Sequence, residues 1–401
     1  MRAGRYIKQA SNYSAFIPAP LPPDSPIKFD DELTRLLSKA DRCLGRLDGV
    51  ASVLPNPDLF VAMYVRHEAV LSSQIEGTQS TLEDVLEFEV DAQRSDFPKD
   101  VEEVVNYVRA MNFGLERIME FPLSLRLIRE IHNELMKGVR GEHKNPGEFR
   151  KSQNWIGPAN TNLSNAIFVP PPVIDMHHAL NNLELFLHDE SLPVLIQCGL
   201  AHAQFETIHP FLDGNGRIGR LLITLLMCQK EILQRPLLYL SYYLKANRSE
   251  YYDRLMAIRS DGSWEGWLKF FLRGVAEVSS AATDMSREIL NLREDTIERI
   301  VENLTSKSAN ALRLLDYLYL QPIITTKIVE KRLGCTFQTA GKLISDLVGL
   351  GLLEETTGGK RNRVYRYKPY LEIFSRPLLR NASRFPPIEI AGKAGDIAND
   401  S

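Results

Sequence analysis

The sequence predicts an all-α core followed by a small winged helix-turn-helix unit. Three observations carry that reading. From Asp31 to about residue 304, apolar residues recur at three- and four-residue steps in one segment after another. One stretch in that span, 141–173, breaks the texture with Gly, Asn and Pro. Beyond it, "SANALRLLDYLYLQPIITTKIVEKRLGCTFQTAGKLISDLVGLGLLEETTGGKRNRVYRY" reads helix, short strand, helix, turn at Gly334–Cys335, helix and two strands.

The elements follow in order. "FIPAPLPPDSPIKF" cannot be helical and is expected to run extended over the surface. Leu33, Leu36, Leu37, Ala40, Cys43 and Leu44 form one stripe of a first helix. A second covers 57–74 and a third 81–89, started by Ser80 or Thr81. Amphipathic helices follow in "KDVEEVVNYVRAMNFGLERI" and "SLRLIREIHNELMKGV". The long loop 141–173 implies a function, and its "NAIFVPP" has the character of a short strand ended by prolines. Helices resume at about 173, at 192–205, at 216–230 and, with Asn247 at its cap, at 248–259. Residues 264–304 read as a long helical stretch in two pieces.

Composition narrows the class. Apolar residues at 44% and charged residues at 25% are those of a soluble globular chain of two or three domains. A net charge of −3 gives no global pull toward nucleic acid or anionic lipid. Cys43, Cys198, Cys228 and Cys335 are far apart and read as reduced, mostly buried thiols. The opening residues have no apolar h-region, so a cytoplasmic location is expected. "LLITLLMC" is too short to cross a bilayer.

The chemistry is concentrated in "TIHPFLDGNGRIGRLL", residues 207–222. Gly214, Gly216 and Gly219 match G-x-G-x-x-G, yet no strand precedes them and no parallel-sheet pattern surrounds them, which argues against a dinucleotide fold. Read residue by residue, Gly214 and Gly216 let backbone N–H groups face a ligand at a helix N-terminus, an anion site suited to phosphates. Arg217 and Arg220, three apart, suit a polyphosphate. Asp213 would be repelled by phosphates unless a cation such as Mg2+ lies between them. His209 can take a proton from an attacking hydroxyl. The implied chemistry is phosphoryl or nucleotidyl transfer to an alcohol.

"HPFLDGNGRIGR" matches HPFx(D/E)GNGRxxR, the signature of the Fic (filamentation induced by cAMP) family, and the chain resembles that family well beyond it. The resemblance implies an all-helical core that transfers AMP from ATP, with Mg2+, to a Ser, Thr or Tyr hydroxyl of a protein and of itself. It makes His209 the general base and Asp213 the metal ligand. Gly214, Asn215, Gly216 and Arg217 then hold the phosphates, and Arg220 binds the γ-phosphate. Phe211 is read as a core anchor of the loop. Tyr243, Asn247 and Tyr251 are candidates for the adenosine pocket. "NAIFVPP" resembles the family's β-hairpin flap, whose Ile167, Phe168 and Val169 would align a target by strand addition. "SSQIEGTQS" matches the family's inhibitory motif, with Ser72 and Glu76 on one helix face and Glu76 competing with the γ-phosphate for Arg220.

The domains expected are an N-terminal helical segment (1–110) with the inhibitory helix, the catalytic core (111–275), a linker helix (276–307), the winged helix (308–372) and an extended tail (373–401). Thr336–Leu350 would be a recognition helix carrying Lys342, with Lys360, Arg361 and Arg363 on the wing. Acidic Asp346, Glu354 and Glu355 dilute that patch, so DNA, a partner protein or a second copy in a homodimer are all open. The competing class is a transcriptional regulator that senses nucleotide with little catalysis. A complete motif including His209 favours the enzyme.

Overall fold

The computed structural model describes residues 2–10, 13–52, 57–92, 97–158, 160–359 and 363–376. A hairpin opens it, β1 (Gly4–Lys8) antiparallel to β2 (Ser14–Pro18). Two helices, α1 (Asp31–Ser52) and α2 (Pro57–Ile75), lead to α3 (Leu82–Val90), α4 (Val101–Ile118) and α5 (Leu125–Met136). After the long loop come α6 (Val173–Leu187), α7 (Val194–Ile208), α8 (Asn215–Gln229), α9 (Ser241–Ala246) and α10 (Arg248–Asp261). A 41-residue helix, α11 (Trp264–Leu304), then runs to α12 (Ser308–Leu320), β3 (Ile323–Thr325), α13 (Thr326–Leu333) and α14 (Phe337–Gly349). The described chain closes with β4 (Leu353–Glu355), β5 (Val364–Tyr367) and α15 (Lys368–Ser375). No helix among the described residues is long and apolar enough to cross a membrane.

Local chemistry sets the boundaries. Thr81 caps α3 and shares a capping box with Asp84. Ser124 caps α5 through its hydroxyl. The expected stripe of α1 holds, with Leu33, Ala40 and Leu44 buried against α11. α7 is buried along nearly its whole length, because α8, α6 and α11 pack around it. It is the central rod on which the loop at 209–214 is mounted.

Four expectations are corrected. The N-terminal segment is not merely extended over the surface. It forms a hairpin whose Ala15 and Phe16 are fully buried. "NAIFVPP" forms no strand. Phe168 makes a single antiparallel bridge to Ile156, and Val169 C=O accepts from Phe16 N–H of β2 instead. The stretch at 264–304 is one uninterrupted helix, so the boundary drawn at 275/276 falls inside it. Val275, Ala276, Val278, Ala282 and Ile289 keep one apolar face going across that point. The boundary at 372/373 falls inside α15, whose Ile373 and Phe374 are buried. Residues 377–401 of the expected tail lie outside the described residues.

At the C-terminus, β5 lies between β3 and β4 in a three-stranded antiparallel sheet. This part is seated on the rest of the chain. α12 packs on α2, Gln321 Nε2 donates to Leu86 C=O at 2.9 Å, and Phe374 rests on Tyr64 and His67 of α2.

Candidate active site

The site lies where the end of α7 meets the start of α8. His209 terminates α7 in the left-handed region, φ 50 and ψ 60, unusual for a residue with a Cβ. Two buried arginines hold that end. Arg150, on the long loop, donates to His209 C=O at 3.0 Å and to Ser152 and Pro171 C=O. Arg259, on α10, donates to Glu206 C=O at 3.1 Å and Thr207 Oγ1 at 3.2 Å and covers the Phe168 ring. Both cap carbonyls at the negative end of α7. Burial, then the charges of Arg259 and Arg150, pull the His209 imidazole down to about 4. Its Nδ1 is buried without a partner. The ring is therefore neutral at working pH and able to accept a proton.

The loop is fixed from both sides. Phe211 is fully buried and stacks on His132 at 3.7 Å, as expected of an anchor. Gly147 N–H donates to His132 Nδ1, so Nε2 carries the proton and donates to Asp213 C=O at 3.1 Å. Asn215 bonds Phe211 N–H and C=O, each at 2.8 Å. Both ends of its amide are thus engaged in closing the loop. Gly214 precedes α8 with φ 77, and no side chain caps the helix. The first N–H groups of α8 thus face outward at a positive helix end.

Asp213 stands beside that end. Its Oδ2 accepts from Lys144 Nζ at 2.9 Å and its Oδ1 from Gly214 N–H at 2.7 Å. Burial pushes its carboxyl up, but Lys144 and then Arg217 outweigh it and hold it below the ordinary range. No group of three metal-ligating side chains occurs among the described residues. The donor set fits a hard cation that takes one carboxylate and completes its shell with substrate phosphates.

The two arginines diverge. Arg217 is buried against Glu103 of α4, at 3.2 Å, and reaches Asp213 at 3.6 Å. Arg220 turns to α2, giving Nε to Ser72 Oγ at 2.8 Å, Nη2 to Ser72 C=O at 3.0 Å, and Nη2 to Glu76 Oε1 at 2.7 Å. Burial raises the Glu76 carboxyl, yet Arg220 prevails and holds it low. Glu76 lies one residue past α2, in the turn before Gly77 at φ 100. Its Oε1 sits where a Cβ on Gly216 would be, directly over the start of α8. The turn is pinned as well: Asp100 accepts from Gln79 N–H at 2.6 Å and Ser80 Oγ at 2.5 Å.

The adenosine candidates adjoin one another through Asn247 N–H on Tyr243 C=O and Tyr251 N–H on Asn247 C=O, and their side chains are engaged within the fold. Tyr251 is fully buried, its hydroxyl 2.9 Å from His202 Nε2 and its ring against Trp267. Tyr243 packs on Phe270 and on Gly274, and Asn247 Nδ2 donates back to Tyr243 C=O instead of capping α10. Aromatics at helical spacing are core here. The neighbouring Tyr252 is partly exposed, and the Glu76 and Arg220 charges act on both it and Tyr251. On the flap, Ile167 is exposed while Phe168 and Val169 are buried. Sequence reasoning missed Arg150, Arg259, Lys144, Glu103 and Glu206. A lone Arg, Lys or Glu in a loop or helix carries no local signal of what it will face.

Family models for the Fic/DOC family N-terminal region and the Fic/DOC family match residues 34–116 and 122–227. The chain carries the two domains of the Fic/DOC family. Among curated relatives, a probable protein adenylyltransferase of Aquifex aeolicus is 29% identical over 47% of this chain and 56% of its own. A protein adenylyltransferase Fic of Drosophila grimshawi is 29% identical over 42% of this chain and 31% of its own. The chain thus spans about a third to just over half of these relatives' length. A solved Fic family protein from Desulfovibrio desulfuricans G20 aligns at TM-score 0.55 and 19% identity, over 85% of this chain and 97% of that one, a likeness of fold. Both Fic domains thus contribute to the site, Ser72 and Glu76 from the first and residues 209–220 from the second.

Proposed function

We propose that this protein is an adenylyltransferase that moves AMP from ATP to a hydroxyl of a target protein and of itself, restrained by Glu76. The observation that carries this is the Glu76–Arg220 pair laid over the start of α8, beside a neutral His209. A carboxylate already occupies the place where the N–H groups of a helix N-terminus and a buried guanidinium converge, so that place is built for anions.

In the reaction, the target hydroxyl oxygen attacks the α-phosphorus, its bond to phosphorus forms as the α–β bridge breaks, and pyrophosphate leaves. His209 takes the hydroxyl proton. Gly216 and the first turn of α8 present N–H groups to the phosphates, Gly214 shapes the turn with its N–H on Asp213, and Arg220 takes the γ-phosphate once Glu76 withdraws. Asp213 would hold Mg2+, which would neutralise charge on the phosphates. Arg217, tied to Glu103, acts from behind the loop through its charge. Ile167 is the flap residue free to meet a target.

We read the unit at 308–372 as a winged helix. The exposed cap Thr336 and the exposed Phe337, Gln338, Thr339 and Lys342 of α14 support a second reading, a nucleotide-sensing regulator that binds DNA. Two of the three acids that dilute this face are paired with cations, Asp346 with Lys307 and Glu354 with Arg366 and Lys368. Lys360 and Arg361 of the wing lie outside the described residues, and Arg363 is exposed.

Intact masses after incubation with ATP and Mg2+ test the enzyme reading. An AMP-sized gain is expected in Glu76→Gly and not in Glu76→Gly/His209→Ala. A gain that survives loss of His209 overturns the assignment of the base. No gain in folded Glu76→Gly, together with salt-dependent DNA binding, favours the regulator.

A further inference from the structure

One ionisable group at the site has no part in that scheme. Glu206 lies one turn before His209 on α7, is 7% exposed, and its Oε1 has no hydrogen-bond partner. Its position is specific. A Cβ on Gly219 would overlap Oε1, so Gly219 makes the room that lets the carboxyl lie on α8 one residue before Arg220. Among the described residues, the groups whose charges act on it or respond to it are Arg220 of α8, Glu76 of the α2 turn, and Arg259, Tyr251 and Tyr252 of α10. His209 follows on its own chain. The guanidinium of Arg220 therefore has two carboxyls within its field, one hydrogen-bonded and replaceable, one buried and unpartnered.

We propose that Glu206 is a positioning residue for Arg220, a second counter-group that must be neutral when a triphosphate takes the guanidinium from Glu76. The inference rests on the nucleotide reading of the site. Replacing one carboxylate by a more highly charged phosphate raises the negative charge facing Glu206, and an unpartnered buried carboxylate cannot bear that. Protonation removes the repulsion and gives Oε1 or its partner oxygen a proton to donate. The free protein already leans that way, since burial, with the Glu76 charge adding to it against Arg220 and Arg259, pushes the group up to about 7. Nucleotide binding above neutral pH then takes up a proton, and affinity falls as pH rises through and beyond 7.

The test is calorimetric titration of full-length Glu76→Gly with ATP and Mg2+ in two buffers of different ionisation enthalpy. At pH 7.5, roughly half a proton or more per nucleotide is expected to be taken up. Kd should weaken several-fold from pH 7 to 8.5. In Glu76→Gly/Glu206→Gln, of equal shape and permanently neutral, both effects should vanish, and the nucleotide's own protonation cancels in the comparison. Equal uptake and equal pH dependence in the two proteins overturn the inference while leaving the nucleotide reading intact. No binding to either overturns the nucleotide reading and the inference with it. If the Gln variant fails to fold by circular dichroism, Glu76→Gly alone decides, because an affinity flat from pH 7 to 8.5 contradicts the proposal.

Discussion

Removing the Glu76 carboxylate should raise activity and lower stability at once. In the free protein, Glu76 and Arg220 form a charge-assisted hydrogen bond of 2.7 Å. The arginine side chain is 2% exposed and the glutamate 35%, so solvent screens one partner. Breaking that bond before a phosphate can replace it costs about 1–2 kcal/mol at this exposure. A carboxylate left beside a phosphate adds repulsion of about the same size after screening. Together, about 2–4 kcal/mol is a barrier that Glu76→Gly removes, roughly 30- to 900-fold in AMP transfer. The same change leaves a buried guanidinium with Ser72 and Glu206, and should destabilise the free protein by about 1–2 kcal/mol. The assay is the initial rate of AMP incorporation alongside a thermal melt. Nucleotide at about 100 times its Kd should then restore about 2.7 kcal/mol to the variant and less to the parent. A folded variant with less than a threefold gain refutes the competition argument. A gain without loss of stability refutes the claim that Glu76 is the main counter-charge in the free state.

Other outcomes follow from the same geometry. Chelating divalent cations, or Asp213→Asn, should lower transfer by the released enzyme by about 3 kcal/mol, read as the rate with and without added Mg2+. Asn215→Ala strips Phe211 N–H and C=O of their buried partner and should cost about 2–4 kcal/mol, measured as a lower urea midpoint. His67, His132, His202 and His209 are each held at about 4, chiefly by burial. Their stabilisation is present above pH 6.5 and lost as pH falls toward 4, while Glu68 and Glu206, raised to about 7, oppose it between 7 and 4.5. His132→Gln should flatten the stability–pH curve by about 1.4 kcal/mol per unit within that window, checked by denaturant titration. Phe374→Ala opens a cavity against Tyr64 and His67 of α2 and should cost about 3–5 kcal/mol by thermal melt. Because α2 carries Ser72 in its last turn and leads directly into Glu76, basal transfer should also rise in that variant.

Much of the architecture was written locally. The stripe of α1, the Thr81 and Ser124 caps, the Gly334 turn at φ 64 and the α12–β5 order follow from periodicity and capping chemistry, which act over a few residues. The motif at 207–222 was legible because His, Asp, Gly and Arg at fixed spacing leave few chemistries open, and Ser72 with Glu76 stood out as a matching short motif. The sequence by itself therefore determined most of the helices, the loop at 207–222 and the Ser72–Glu76 motif. It did not determine partners. Tyr243 and Tyr251 looked like ligand residues and became core, because helical spacing says that a face is apolar without saying what covers it. The Asn215 side chain staples its own loop, a pairing that spacing does not show. Arg217 and Arg220, one turn apart, were drawn to α4 and α2. The tertiary structure alone decided these, along with Arg150, Arg259 and Glu206, since a charge's role depends on which other charges share its low-dielectric surroundings, and residues more than a hundred positions apart set that field only after the chain has folded.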